Sequence, residues 1–85
     1  MNTIYKYPIP HLDEQEIQMP LGSEIIRVGL DPREVPCLWA IVDIDKPKAP
    51  VRVLTVGTGD VMPSMPYRHI GSFVDGSFVW HIFIG

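Results

Sequence analysis

The sequence predicts an all-β fold, a small antiparallel β-sandwich or barrel-like domain of about six to seven short strands. Short segments rich in β-branched and aromatic residues recur at fairly regular spacing. Nine prolines and seven glycines separate them, and no long stretch has the 3.6-residue period of an amphipathic helix. With 85 residues, 46% of them hydrophobic, the chain is expected to form a single domain over residues 1–85.

The first strands are marked by prolines. Residues 3–7 are β-branched or aromatic and end at Pro8, which indicates an edge strand because proline cannot donate to a ladder. Residues 16–19 form a short strand closed by Pro20. Residues 24–30 form the third strand, and the turn that follows has proline where a type I turn prefers it.

The second half of the chain contains the most apolar strands. Residues 37–44 are almost wholly apolar, so both faces of this strand are expected to be covered. An exposed loop separates it from the strand at 51–58, and an irregular segment covers 59–66. The chain closes with a hairpin over 68–85.

The closing hairpin is predicted to turn at Asp75-Gly76, a dipeptide that suits a type I′ turn. Its second strand is apolar on both faces, which favours a two-layer fold, a partner subunit, or both. The expected facing pairs are Phe73 with Phe78, Gly71 with Trp80 and His69 with Ile82, and the opposite face is expected to carry Ile70, Ser72, Val79, His81 and Phe83.

Two strands with two apolar faces exceed what one small domain buries easily. We therefore expect a homo-oligomer. The expected seam between subunits is the last strand, through Val79, His81 and Phe83.

Composition excludes several classes of protein. The net charge is −3 and the seven Lys and Arg residues are dispersed, which argues against non-specific nucleic-acid binding. The single Cys37 excludes an internal disulfide and fits a reducing compartment. The start of the chain lacks a signal-peptide pattern, and no apolar run could span a bilayer. A soluble cytoplasmic protein with no membrane contact is expected.

Candidate binding residues fall in three stretches, each with a purely structural alternative. Gly57-Thr58-Gly59 could approach an anion through backbone N–H groups, or is a simple strand-end turn. Tyr67-Arg68-His69 could stack a base and pair with phosphate, with Lys6, Arg27 or Arg52 nearby in space, or is a solvated strand start. Trp39 and Trp80 are core anchors, or base-stacking platforms if partly exposed at a seam.

No residue pattern indicates catalysis. Cys37, His81 and Asp43 could be imagined as a nucleophile set, but a thiol in an apolar strand is usually inert. The three histidines His11, His69 and His81 lack zinc-site spacing. We expect a protein that is not an enzyme, with no metal and no cofactor.

Four stretches of the chain resemble a family of small phage and prophage proteins. They are the start T-I-Y-K-Y-P at 3–8, C-L-W-A-I-V-D at 37–43, the G-T-G at 57–59, and H-I-G-S-F at 69–73 with the apolar closing strand. The resemblance spans nearly the whole chain. It implies a compact accessory gene product of phage origin, and by analogy an antagonist of host defence.

Three functions follow from that resemblance. In the first, an oligomer sequesters a nucleotide immune signal of the cyclic-nucleotide or ADP-ribose type. Tyr67, Trp39 or Trp80 would stack the base, and Arg68, Lys6 or Arg27 would neutralise phosphate. In the second, the acidic surface binds and inhibits a host defence complex directly. In the third, the protein is a small structural or assembly part of the virion.

Overall fold

The computed structural model describes residues 1–10, 13–64 and 66–85. Within them the chain is all-β, with seven antiparallel strands and no helix, which confirms the predicted fold class. Strand bounds differ from the sequence-based ones by up to three residues. The strands are β1 (Asn2–Pro8), β2 (Glu14–Pro20), β3 (Glu24–Leu30), β4 (Pro36–Asp43), β5 (Lys48–Gly57), β6 (Arg68–Asp75) and β7 (Phe78–Ile84).

The strands form two sheets that pack as a β-sandwich. Sheet A has the order β1-β4-β3 and sheet B the order β2-β5-β7-β6. We call the face of each sheet that points to the other sheet its inner face. Strict alternation along β4 turns one set of its side chains inward, and these residues join others in one buried cluster. The cluster contains Ile9, Met19, Leu38, Ala40, Val42, Val53 and Ile82.

One side of the sandwich is closed by direct packing of β3 on β6. Gly71 lies against Val28, and a Cβ at position 71 would overlap Val28 Cγ2. This approach therefore requires glycine. The other end of sheet A is open. Tyr5 of β1 belongs to the inner face, opposite Ala40, but is 44% exposed.

The turn of the closing hairpin differs from the predicted one. Asp75 pairs with Phe78 and Phe73 with Trp80, so the two turn residues are Gly76 and Ser77. Gly76 has a φ of 61°, and Ser77 does not share a positive value. A glycine at the first turn position alone fits type II′ rather than type I′. The predicted partners of Phe73 and Gly71 were therefore wrong by two residues, and the predicted partner of His69 was wrong by one.

A β-bulge in β6 corrects a second prediction about the hairpin. The register shifts between His69 and Gly71, so the extra residue Ile70 packs on the core. His69 instead pairs with Phe83, and the centres of their two rings are 5.2 Å apart. The prediction that Ile70 shares a face with Ser72, and His69 with Phe73, was wrong because an extra residue reverses the alternation.

The outer face of sheet A leaves apolar side chains exposed, as does the hairpin of sheet B at Val74 and Val79. The expectation that β4 is covered on both faces holds for its inner face, whereas Trp39 and Ile41 on the outer face are half-buried. Nearby, Ile4 is 55% and Ile26 is 47% exposed. On the hairpin, His81 and Phe83 are half-buried by their own chain. None of the described residues belongs to a helix that could cross a membrane.

Candidate functional site

The ten candidate binding residues do not form one site. They lie in four places, of which the first brings three of them together. The outer face of sheet A brings together Lys6, Arg27 and Trp39. The outer face of sheet B carries Thr58 and His69. Gly57 pairs with Trp80 near the hairpin turn, and Gly59 lies two residues further along the chain. Tyr67 lies against Gly85, and Arg68 is opposite Ile84.

The first group is an aromatic ring flanked by two cations. Trp39 is the direct cross-strand neighbour of Lys6 on one side and of Arg27 on the other. Directly opposite residues of antiparallel strands point to the same face. The Arg27 guanidinium carbon lies 5.3 Å from the centre of the Trp39 ring, within cation–π distance. We call these three residues the Arg–Trp platform.

A β-bulge builds this platform. The register of β3 shifts between Ile25 and Arg27, and Ile26 is the extra residue. Without the shift, Arg27 would lie opposite Leu38, which is fully buried, and its charge would point into the core. The bulge turns the guanidinium outward, and with it the exposed Ile26.

Lys6 is tied to a structured turn. Its Nζ donates to Asp31 Oδ2 at 2.9 Å, while Asp31 Oδ1 accepts the backbone N–H groups of Arg33 and Val35, each at 2.9 Å. Lys6 first, and these N–H groups with it, lower the pKa of Asp31 to about 2. The Asp31 side chain is only 6% exposed. Much of the Lys6 charge is therefore already compensated.

Arg27 is different from Lys6. Within the described ranges, no carboxylate forms an ion pair with it. A cavity of about 560 Å³ opens beside Arg27 and Trp39, a size typical of small-molecule sites. Its other walls are Ile4, Ile26, Leu30, Asp31 and Pro32. The arrangement can stack a flat ring and pair with one negative group.

The second group is a chain of hydrogen bonds on the outer face of sheet B. His69 Nε2 and Ser72 Oγ are 3.0 Å apart, and Ser72 Oγ and His81 Nδ1 are 2.7 Å apart. His81 Nε2 lies 2.8 Å from Thr58 Oγ1. Each hydroxyl can donate or accept, so the directions of these hydrogen bonds depend on the tautomers of the two rings. Sequence reasoning missed this chain, because only the β6 bulge brings His69 to the face of Ser72.

The backbone of the glycine stretch at the end of β5 binds the side chain of Asp60, a residue of the same segment. The Gly57 N–H donates to Asp60 Oδ2 at 3.0 Å, and the Asp60 N–H donates to the Gly57 carbonyl at 3.0 Å. A Cβ at Gly57 would lie 3.2 Å from the Trp80 ring. This glycine therefore permits ring packing, and its N–H already binds a carboxylate.

The imagined nucleophile set does not assemble. Cys37 is buried in sheet A, whereas His81 belongs to sheet B. Burial, and after it the Asp31 charge, raise the pKa of the Cys37 thiol, which disfavours the reactive thiolate. No group of three or more His, Cys, Asp and Glu able to hold a metal occurs in the described residues. His11 lies outside them.

Comparison with known proteins identifies one family. No curated protein and no solved structure matches the chain. The family model that does match is that of a domain of unknown function, DUF7352, and the match covers residues 1–85. Because the match spans the whole sequence given, the chain belongs to the DUF7352 family.

Proposed function

We propose that this protein binds a nucleotide-type small molecule on the Arg–Trp platform and holds it without chemical change. The observation that carries the proposal is the Arg27 guanidinium 5.3 Å from the Trp39 ring, at the wall of a cavity of about 560 Å³. The biological role that we propose is sequestration of a nucleotide immune signal by a phage accessory protein in the host cytoplasm. The resemblance to phage proteins supports that setting.

Stacking supplies the first part of the interaction. A nucleobase can lie on an indole or a guanidinium plane, and such stacking is worth about 1–3 kcal/mol per base. Trp39 is half-buried rather than enclosed, so its ring is held by the sheet and still reachable. The apolar walls formed by Ile4 and Ile26 favour a flat, poorly hydrated group in the cavity.

Charge narrows the ligand class. Asp31 compensates Lys6 at 2.9 Å, so Arg27 is the uncompensated positive charge at the cavity. A phosphodiester has one charge per phosphate, whereas a terminal phosphate has nearly two. The platform therefore favours contact with one singly charged phosphate, such as a phosphodiester of a cyclic nucleotide, over contact with a terminal phosphate.

A second candidate function is direct binding of a host defence protein, and the exposed Ile4 and Ile26 favour it. These side chains are 55% and 47% exposed on the same face as the platform. Exposed apolar side chains that cluster on one face often mark a macromolecular interface. An assembly role in the virion would use the same surface.

Calorimetric titration with cyclic di- and trinucleotides, ADP-ribose and inorganic phosphate tests the proposal. We expect saturable binding of at least one nucleotide at micromolar concentration, and a loss of at least tenfold in affinity in Arg27→Ala. The matched control is Lys48→Ala, since Lys48 is an exposed cation on sheet B, away from the platform. Absence of binding at millimolar ligand, or equal affinity in Arg27→Ala, would overturn it and leave the protein-binding candidate.

A further inference from the structure

The sandwich has four edge strands, and three of them are protected against pairing with another strand. Edge strands expose unpaired backbone groups, which proteins usually block with bulges, charges or cover. In the described part of the chain, β3 and β6 each contain a bulge and pack on one another. On β2, Glu14 pairs with Arg52, and Glu16 is an exposed charge that guards this edge.

β1 lacks these protections. It pairs with β4 over seven consecutive residues without a register shift, and its burial pattern is exposed at every position except Tyr7. Lys6 is its one charged side chain, and the Lys6 Nζ is directed across the sheet to Asp31 at 2.9 Å. The charge that could guard this edge is therefore held over the sheet.

The backbone pattern shows which β1 groups point away from the sheet. The Met1 carbonyl accepts the Ile44 N–H at 3.1 Å, and the Ile9 N–H donates to the Pro36 carbonyl at 2.8 Å. Hydrogen-bonded pairs alternate along an antiparallel ladder, so the odd-numbered residues of β1 bond to β4. The N–H and C=O groups of Asn2, Ile4 and Lys6 consequently point outward.

The side chains of β1 are also uncovered on both faces. Ile4 on the outer face is 55% exposed, and Tyr5 on the inner face is 44% exposed. A strand inside a sandwich normally has its inner face covered. A neighbouring strand added at this edge would shield both side chains and bond the three outward backbone units at once.

We propose that β1 pairs with β1 of a second copy of this chain, antiparallel and centred on Ile4. Asn2, Ile4 and Lys6 are evenly spaced, so a twofold axis at Ile4 sets Ile4 against Ile4 and Asn2 against Lys6. This register forms six hydrogen bonds between the two copies. They use every outward N–H and C=O group of β1 except the carbonyl of Pro8. Centring on Thr3 would use four. Centring on Tyr5 would also use six, because the Pro8 carbonyl can accept the Asn2 N–H, but it would set each Ile4 against a lysine. Centring on Ile4 instead gives a seam with two isoleucines on one face and no pair of like charges.

The pairing joins two copies of sheet A into one six-stranded sheet. An isologous contact of this kind closes at the dimer. It places the seam at β1, whereas the sequence led us to expect it on β7 at Val79, His81 and Phe83. The inference does not rest on the proposed nucleotide binding, because it is argued from the backbone groups of β1. Ile4 contributes both to the cavity wall and to the seam.

Sedimentation velocity of the wild type and of Ile4→Lys tests the seam. We expect a dimer that Ile4→Lys weakens at least tenfold, because two lysines would meet at the axis. Ile26→Lys is the matched control, as it charges the same outer face away from the β1 edge and should leave the dimer intact. A wild type that is monomeric at several hundred micromolar would overturn the proposal, as would a dimer that Ile4→Lys leaves unchanged.

Amide hydrogen exchange on the wild type provides a second test that needs no variant. In concentrated protein the amides of Asn2, Ile4 and Lys6 should be protected, and dilution should remove that protection at least tenfold. The amides of Thr3 and Tyr5 should stay protected at both concentrations, because they bond to β4. Fast exchange of the three outward amides at every concentration would contradict pairing at β1.

Discussion

β1 and β3 flank the same central strand, and each places a cation beside Trp39. β3 is bulged and is fixed on β6 through Val28 and Gly71, whereas β1 is regular and exposed on both faces. The edge of β3 is thus packed against another strand of the same chain, and the edge of β1 is not. The contrast teaches that an unprotected edge can indicate a partner better than the count of apolar residues does.

The largest effect is expected where β3 is fixed. Gly71→Ala should lower the free energy of unfolding by about 1–3 kcal/mol, because its Cβ would overlap the β-branched Val28. Urea unfolding measures this. Val28→Ala combined with Gly71→Ala should recover part of the loss, since the clash is pairwise. An unchanged midpoint in Gly71→Ala would mean that β3 is no better fixed than β1.

The two cations should contribute unequally to nucleotide affinity. We expect Arg27→Ala to weaken binding tenfold or more, about 1.4 kcal/mol, and Lys6→Met to weaken it less than threefold. The physical reason is that Asp31 already compensates Lys6 at 2.9 Å. Titration calorimetry of both variants with the same ligand decides the point. Equal losses would show that the Lys6–Asp31 pair opens on binding.

Acid should break the contact between Lys6 of β1 and Asp31, which lies in the turn after β3. The pKa of Asp31 is lowered to about 2, with Lys6 as the main cause. The stability that this carboxylate contributes is complete above about pH 4, the unfolded value, and is lost as the pH falls from there through about 2. In Asp31→Asn the thermal midpoint should fall less between pH 4 and pH 2 than it does in the wild type. In Lys6→Met the fall should be intermediate. Parallel profiles for all three proteins would contradict this link.

The smallest effect is expected in the turn that holds Asp31. Glu34 has a φ of 63°, a conformation that costs a residue other than glycine about 1 kcal/mol. Glu34→Gly should raise the free energy of unfolding by about 0.5 kcal/mol, because the relief is offset by a more flexible unfolded chain. Chemical unfolding measures it. A clear loss of stability would show that the Glu34 side chain supports the turn.

The strands and their order along the chain were predictable because their signals are local. Prolines and glycines delimit each segment, and the apolar runs have strand length. The two bulges were not predictable, since an extra Ile26 or Ile70 looks like any other residue of an apolar run. Each bulge reverses the face of its neighbours, and this is why the final positions of Arg27 and His69 required the structure.

The same limit applies to the candidate site. Lys6, Arg27 and Trp39 were each predicted as possible ligand-binding residues, but their meeting depends on pairing of β1 and β3 with β4. Such pairing joins residues more than ten positions apart, and no local pattern encodes its register. Because the register was not encoded locally, the expectation of a subunit seam on the hairpin was based on its many apolar residues.

Nucleotide binding at Trp39, as proposed, can be followed through the two indole N–H signals of the protein. Trp39 and Trp80 give one NMR signal each, and they lie in different sheets. On titration with ADP-ribose and a cyclic dinucleotide, we expect at least one ligand to shift the Trp39 signal saturably and to leave the Trp80 signal in place. Movement of Trp80 alone, or of neither signal at millimolar ligand, would contradict the account.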